Sequence, residues 1–339
     1  MKKLYALLLA GVCVCLSFQQ ARATPESQAA VLLLLTEPGA RAIAMGESYV
    51  AISDDATVNY FNPATLAGQT KKLLNFTHSE FNEVGIHYSP RNYKFLAYAQ
   101  PVEGWGNIGL NIALLNFGDQ VQTGESGQIL GDFSSYDVAV SAAYGSEIAD
   151  NMSAGIGLKF IRSNLADQGA GIERGKGVGN SFAADIGLLW KLTPSVSFGA
   201  ALRNLGPKIA YIDASQADPL PQHIVLGTAY ELMDTQYHDV LLSFDLYKPL
   251  IADGSFLGNL VKAWADESLG NEFKEMDLHV GGEYKYGLSS RQDESFFAMR
   301  GGYSLDRLPR NVLQIFIPEG GESNVWTRPE EPRGGPGGH

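Results

Sequence analysis

The chain has 339 residues, 37 acidic against 25 basic side chains, a net charge of −12, 38 glycines and two cysteines. An acidic balance disfavours nucleic acid, whose phosphates call for cations. Cys13 and Cys15 both fall in the first apolar stretch, so the chain after it has neither disulfide nor thiol chemistry.

Residues 1–23 read as a secretory signal. Lys2 and Lys3 form its basic end, Leu4–Phe18 its apolar stretch, and Ala21-Arg22-Ala23 an A-x-A cleavage site before Thr24. Neither cysteine follows the small residue that a lipoprotein signal needs. Losing Lys2, Lys3 and Arg22 takes the net charge from −12 to −15. Nothing further along reaches ~18 uninterrupted apolar residues, so helices do not span a bilayer.

Residues 24–70 lack the period of a strand and are expected to fold as a plug, or hatch, inside or beneath a barrel. Ala29–Leu35 is a short apolar run with no assignment. Gly46 ends a small-residue helical turn and suits close backbone packing. Asp54 and Asp55 suit a capped, solvated turn. Asn62 before Pro63 reads as an N-cap with proline at the first helical position.

Residues 71–305 carry the strands. Spans are read at Leu74–His78, Val84–Ser89, Tyr93–Pro101 and Gly106–Phe117, then four central runs within Ser134–Asn204. Four more follow at His223–Leu232, Gln236–Tyr247, Met276–Tyr286 and Ser295–Tyr303. In the central runs Tyr136, Val138, Val140, Ala142 and Tyr144 oppose Asp137, Ala139, Ser141, Ala143 and Gly145. Ile156, Leu158 and Phe160 oppose Gly155, Gly157 and Lys159; Phe182, Ile186, Leu188 and Trp190 oppose Ser181, Asp185 and Gly187. Period two gives a sheet with one greasy and one small, polar side.

A run of about 9–11 residues suits a tilted strand crossing a bilayer. Tyr136, Tyr144, Phe160, Phe182 and Trp190 are read as aromatics of a membrane girdle: eight residues at ~3.3 Å each cover about 26 Å, close to the height of an outer-membrane apolar band. A soluble β-sandwich also alternates, but with shorter strands and mixed hydrophobes inside. The reading is therefore all-β: an antiparallel transmembrane β-barrel of about twelve readable strands behind an N-terminal hatch. Tight turns alternate with long connections, as outer-membrane barrels require. The long ones fall after even-numbered spans, however, so one early span within 71–89 is miscounted. Leu257, Leu260, Val261 and Trp264 suggest a small amphipathic helix in the 248–273 connection. Residues 306–339 form a Pro/Gly-rich tail, disordered or a truncated barrel end.

The pattern of Arg41 with its alanine neighbours, Met45-Gly46, Asp54-Asp55-Ala56 and Asn62-Pro63-Ala64 resembles the N-terminal signature of the PorV/PorQ family, and Leu202–Gly206 resembles a recurrent strand end of that group. The family belongs to the type IX secretion system, within the FadL-like superfamily of outer-membrane barrels. The resemblance covers roughly residues 30–305 and implies a barrel of about fourteen strands, with Arg41, Met45, Gly46, Asp54, Asp55, Asn62, Pro63 and Ala64 as structural residues of the hatch. It carries over no ligand contact.

No chemistry competes with this reading. Gly104–Gly109 fits G-x-G-x-x-G but joins two strands, so it is a hairpin and not a dinucleotide loop. Gly175-Lys176 lacks the glycine and hydroxyl of a phosphate loop. Asp54-Asp55 lacks the cleft of a catalytic carboxylate pair. The six histidines show no metal-ligand spacing, and no nucleophile elbow is present. No catalytic, cofactor or metal residue is expected, and no enzyme. Three functions remain open: an outer-membrane component of protein secretion that binds cargo or partner proteins, a passive transporter of hydrophobic molecules, and a structural barrel. Outer-membrane lipid is an expected partner; secreted cargo, other secretion components and a hydrophobic ligand are further ones.

Overall fold

The computed structural model describes residues 30–81, 91–123, 128–166, 176–250, 276–287 and 296–305. Eleven strands among them form one antiparallel sheet in chain order: β1 (Leu73–Phe81), β2 (Arg91–Val102), β3 (Gly106–Thr123), β4 (Ile129–Ala149), β5 (Met152–Ala166), β6 (Gly177–Thr193), β7 (Val196–Leu205), β8 (His223–Asp234), β9 (His238–Pro249), β10 (Asp277–Gly287) and β11 (Phe296–Leu305). The signal segment, the Val84–Ser89 span, the 255–264 helix, the phosphate-loop glycine and the tail lie outside the described residues.

The strand count is corrected at its start. β1 hydrogen-bonds directly to β2, from Leu73 opposite Ala99 to Phe81 opposite Arg91, so no strand lies between them. With one strand fewer, the connections of 206–222 and 250–276 follow odd strands, while the tight turns at 103–105, 150–151, 194–195 and 235–237 follow even ones. Short turns then mark the periplasmic rim and long loops the outer rim.

Each strand has two faces because successive side chains point oppositely. Along β4, Asp137, Ala139, Ser141, Ala143 and Gly145 are buried while Val140 and Tyr144 are exposed. On β5 and β6 the contrast is sharper: Leu158 is 64% and Phe182 65% exposed, whereas Lys159, Asp185 and Ser181 are buried. The apolar row therefore faces outward, inverting a soluble protein. Cross-strand pairs knit it together, with Phe160 and Phe182 ring centroids 5.3 Å apart and Trp190 and Phe198 6.1 Å apart. No helix among the described residues is long and apolar enough to cross a membrane.

The buried side closes on residues 30–70. A 3₁₀ turn at Leu32–Leu35, helices α1 (Ala40–Ala44) and α2 (Val58–Phe61), and a second 3₁₀ turn at Pro63–Gly68 make up this segment. Every strand from β2 to β11 touches it. Phe95 of β2 meets Tyr60 edge-on at 5.6 Å, the second 3₁₀ turn lies on β3 to β6, Arg203 of β7 reaches Glu37, and Asp245 of β9 binds Tyr49. The sheet is thus curled round a hatch, and the main core, with a smaller cluster of Leu66, Ala99 and Ala143, lies between hatch and wall.

Lipid exposure predicts a depth-dependent cost. Leu158→Arg, mid-band on β5, is expected to destabilise by about 2–4 kcal/mol, and Met152→Arg at the periplasmic end of the same strand by about 1 kcal/mol or less. Urea unfolding from lipid vesicles measures both. Equal costs would mean that lipid does not wet this face.

Candidate functional site: the hatch seated in the lumen

The hatch has few regular hydrogen bonds of its own, so its backbone groups and charges are satisfied by one another and by the wall. Asn62 is the centre of one anchor. Its side-chain oxygen accepts from Ala64 N–H at 3.0 Å, capping the turn that Pro63 opens. Its amide nitrogen donates to Val50 O at 2.8 Å and to Leu188 O of β6 at 3.0 Å. One side chain thereby joins two parts of the hatch to the wall. Such contact demands small wall residues: a Cβ on Gly187 would collide with Asn62 Oδ1, and one on Gly155 with the Pro63 backbone.

A second anchor is electrostatic. Arg41 on α1 forks onto Asp54 at 2.7 and 3.1 Å and onto Glu283 of β10 at 2.9 and 2.7 Å. Glu283 also meets Lys285 at 2.9 Å and Arg300 of β11, and Lys285 reaches Asp54 at 3.3 Å and Asp239 at 3.5 Å. Fully hydrogen-bonded charges of this kind fix a geometry more than they add stability. Crowding works to raise the Asp54 carboxyl, although half its side chain reaches water; Arg41 and Lys285 outweigh it and hold the group well below the usual carboxylate range. Asp55 does a different job. It accepts from Thr57 N–H and Oγ1 at 2.6 and 2.8 Å and from the Tyr49 hydroxyl at 2.9 Å. Burial pushes that hydroxyl well above its ordinary value, so Tyr49 remains a donor.

Met45 and Gly46 form the third contact. Met45 is fully buried. Gly46 has φ 62°, and a Cβ there would come within 2.5 Å of Tyr303 N and 2.8 Å of Val280 O. Positive φ and close approach both require glycine at this position. Nearby, Asp245 accepts from Tyr49 and Val50 N–H at 2.6 and 2.9 Å.

Deeper in the lumen lies a cluster that motif reading does not reveal. Arg203 is fully buried, pairs with Glu37 at 3.0 Å, and sits 4.5 Å over the Tyr60 ring. Lys159 pairs with Asp185 at 3.2 Å and donates to Asn204 at 2.6 Å. Leu33 and Leu34, from the unassigned apolar run, are buried beside this layer. The only available signal was charge on the otherwise small inner rows, at Lys159, Asp185 and Arg203. Of the other sequence-derived residues, Ala64 is buried in the second turn, while Tyr136, Tyr144, Phe160, Phe182 and Trp190 lie on the outer face, away from the hatch. No group of three or more metal-ligating side chains occurs among the described residues.

A family model described as Type IX secretion system protein PorV matches residues 19–254, more than two thirds of the chain. The chain belongs to the PorV family. Solved structures that the chain matches include the Ralstonia pickettii toluene transporter TbuX, at 13% identity over 79% of this chain and 86% of that one, TM-score 0.43. The Pseudomonas putida toluene transporter TodX matches at 12% identity over 79% and 83%, TM-score 0.46. A Pseudomonas aeruginosa FadL homologue matches at 12% over 77% of each chain, TM-score 0.40. No curated protein matches. This PorV-family chain is accordingly an outer-membrane β-barrel protein.

Two outcomes follow for its hatch. Arg41→Ala is expected to weaken docking by about 2 kcal/mol, a typical loss for hydrogen bonds to charged groups, because Glu283 keeps Lys285 and Arg300. Faster amide exchange over residues 40–55, with the wall unchanged, reports it; unaltered exchange would show that Arg41 does not hold the hatch. With its folded pKa depressed, Asp54 contributes fully above the unfolded value of about 3.9 and loses that contribution as pH falls toward the folded one. Protease protection of the hatch is therefore expected to be flat from pH 8 to about 4 and to fall only in stronger acid, and Asp54→Asn should remove the acid limb.

Proposed function

We propose that this protein is a non-enzymatic outer-membrane component of a type IX secretion system that binds secreted cargo or partner proteins. The observation that carries this reading is the family match over residues 19–254. The hatch geometry supports it. From β2 to β11 the wall is in contact with the hatch, and beside the apolar residues packed on it, such as Phe95, Ile161 and Leu189, its inner rows bury polar and charged ones: Ser141, Ser153, Lys159, Asp185, Arg203 and Glu283. A hydrophobic molecule crossing here would meet those groups, which gain nothing from it and lose hydrogen bonds to it. The work of such a barrel then falls to its rims, where long connections offer protein-sized surface and the hatch keeps the lumen shut. Residues 1–23 serve as the cleaved export signal and 24–70 as the hatch in this account.

The test is purification of the chain from outer membranes in mild detergent. A secreted protein, or another secretion component, is expected to co-purify at defined stoichiometry and to be lost when the 206–222 connection is replaced by a short Gly-Ser loop. Recovery of the chain with a stoichiometric apolar small molecule, and with no protein, would overturn the proposal in favour of passive transport of hydrophobic compounds.

A further inference from the structure

On the outer face one cross-strand row departs from the apolar pattern. His78 of β1 lies opposite Lys94 of β2, Lys94 opposite Leu114, Leu114 opposite Val138, Val138 opposite Arg162 of β5, and Arg162 opposite Asn180 of β6. One step toward the periplasmic rim the equivalent row is wholly apolar: Phe76, Leu96, Ile112, Val140, Phe160 and Phe182. The polar row is therefore the outer boundary of the lipid-facing band, on the long-loop side. Along β5 the band runs from Met152 to Phe160, about 26 Å of strand, and Arg162 stands immediately above it.

Both cations of this row point away from the lumen and are exposed. Among the described residues no carboxylate pairs with either. Arg162 makes one side-chain hydrogen bond, Nη1 to Asn180 Oδ1 at 3.3 Å, and Glu80, an outward carboxylate one step beyond His78 on β1, is turned to His78 at 3.3 Å. Leu114 and Val138 between the cations are half-buried, unlike Ile112 and Val140 below them, as expected where long basic stems lie along neighbouring apolar side chains. The Tyr136 ring flanks the row from the next step out.

We propose that this row is a binding site for the phosphate-bearing headgroup of an outer-leaflet lipid. Lys94 and Arg162 take phosphoryl oxygens, Asn180 and the Tyr136 hydroxyl add hydrogen bonds, and the acyl chains lie down the apolar rows below. The two cations are three strands, about 14 Å, apart, so a headgroup carrying two phosphates spans them, or two singly phosphorylated lipids share them. A cation held at lipid headgroup level is neutralised by an anion from the membrane itself.

The experiment reconstitutes the full chain in phosphatidylcholine vesicles and measures the association of spin-labelled phosphatidic acid relative to spin-labelled phosphatidylcholine. Wild type is expected to prefer phosphatidic acid. The preference should fall about five-fold for each cation removed, in Lys94→Gln and in Arg162→Gln, and should shrink with salt. Lys191→Gln, an exposed lysine at the opposite rim, should leave it unchanged, and Asn180→Lys should raise it. Equal association of the two lipids with wild type would overturn the site, as would a preference that survives the Lys94→Gln/Arg162→Gln double variant. If inorganic phosphate in detergent protects Lys94 from acylation as strongly as phosphatidic acid does, the row is a general anion site and the lipid assignment fails. Should the double variant fail to insert, Asn180→Lys carries the test alone: no gain would overturn the proposal.

Discussion

A folded hatch seats against this sheet because the wall is glycine at the points where hatch backbone comes closest. Gly187 and Gly155 lie where a single methyl would strike Asn62 and Pro63. That steric allowance comes first, and the polar anchors are placed by it. Asn62 can reach Leu188 O, and Asp245 can reach the Tyr49 and Val50 amides, because backbone meets backbone there. The outer face follows by the same alternation. With the inner side of each strand given to the hatch, the alternate side chains face outward, and in lipid large apolar ones are favourable there.

The buried charges sit in two layers with different company. Near the periplasmic rim Arg41, Asp54, Glu283, Lys285 and Arg300 share partners and remain in touch with water, since Asp54 is half exposed. Deeper in, Arg203–Glu37 and Lys159–Asp185 are enclosed and roofed by Tyr60. Desolvation makes an enclosed pair nearly neutral for stability but makes a wrong pairing very costly. The inner layer therefore selects one docking of the hatch out of many. The outer layer, screened by solvent, keeps it there at lower cost to rearrangement.

Legibility in the sequence follows range. Period two survives in single strands, so the faces of β4, β5 and β6 were readable residue by residue, and a register slip would have turned every side chain over. Asn62-Pro63 was readable because a cap and its turn are neighbours. Arg41–Glu283 and Arg203–Glu37 were not, since their partners lie 242 and 166 positions apart and nothing local marks a charge as paired. Leu33 and Leu34 gave an apolar run without a period, because a hatch takes its shape from the cavity around it. The early strand count failed for a related reason: alternation identifies a strand but not its neighbour, and the pairing of β1 with β2 was needed to order the rims.

The division of labour between faces narrows where this molecule can meet others. The inner rows are committed to the hatch, so a partner that entered the lumen would first have to break the Asn62 and Arg41 anchors together. The outer apolar rows are committed to lipid, and the Phe160–Phe182 pair at their centre has no polar atom to offer a protein. What is left is at the edges of the band: the row of Lys94, Arg162 and Asn180, the exposed Trp105 at the β2–β3 turn, and the loops above. Those edges are also where backbone regains water and where charged substitutions cost least. Variation that alters a partner is tolerated there, and variation that alters the fold is confined to the wall between.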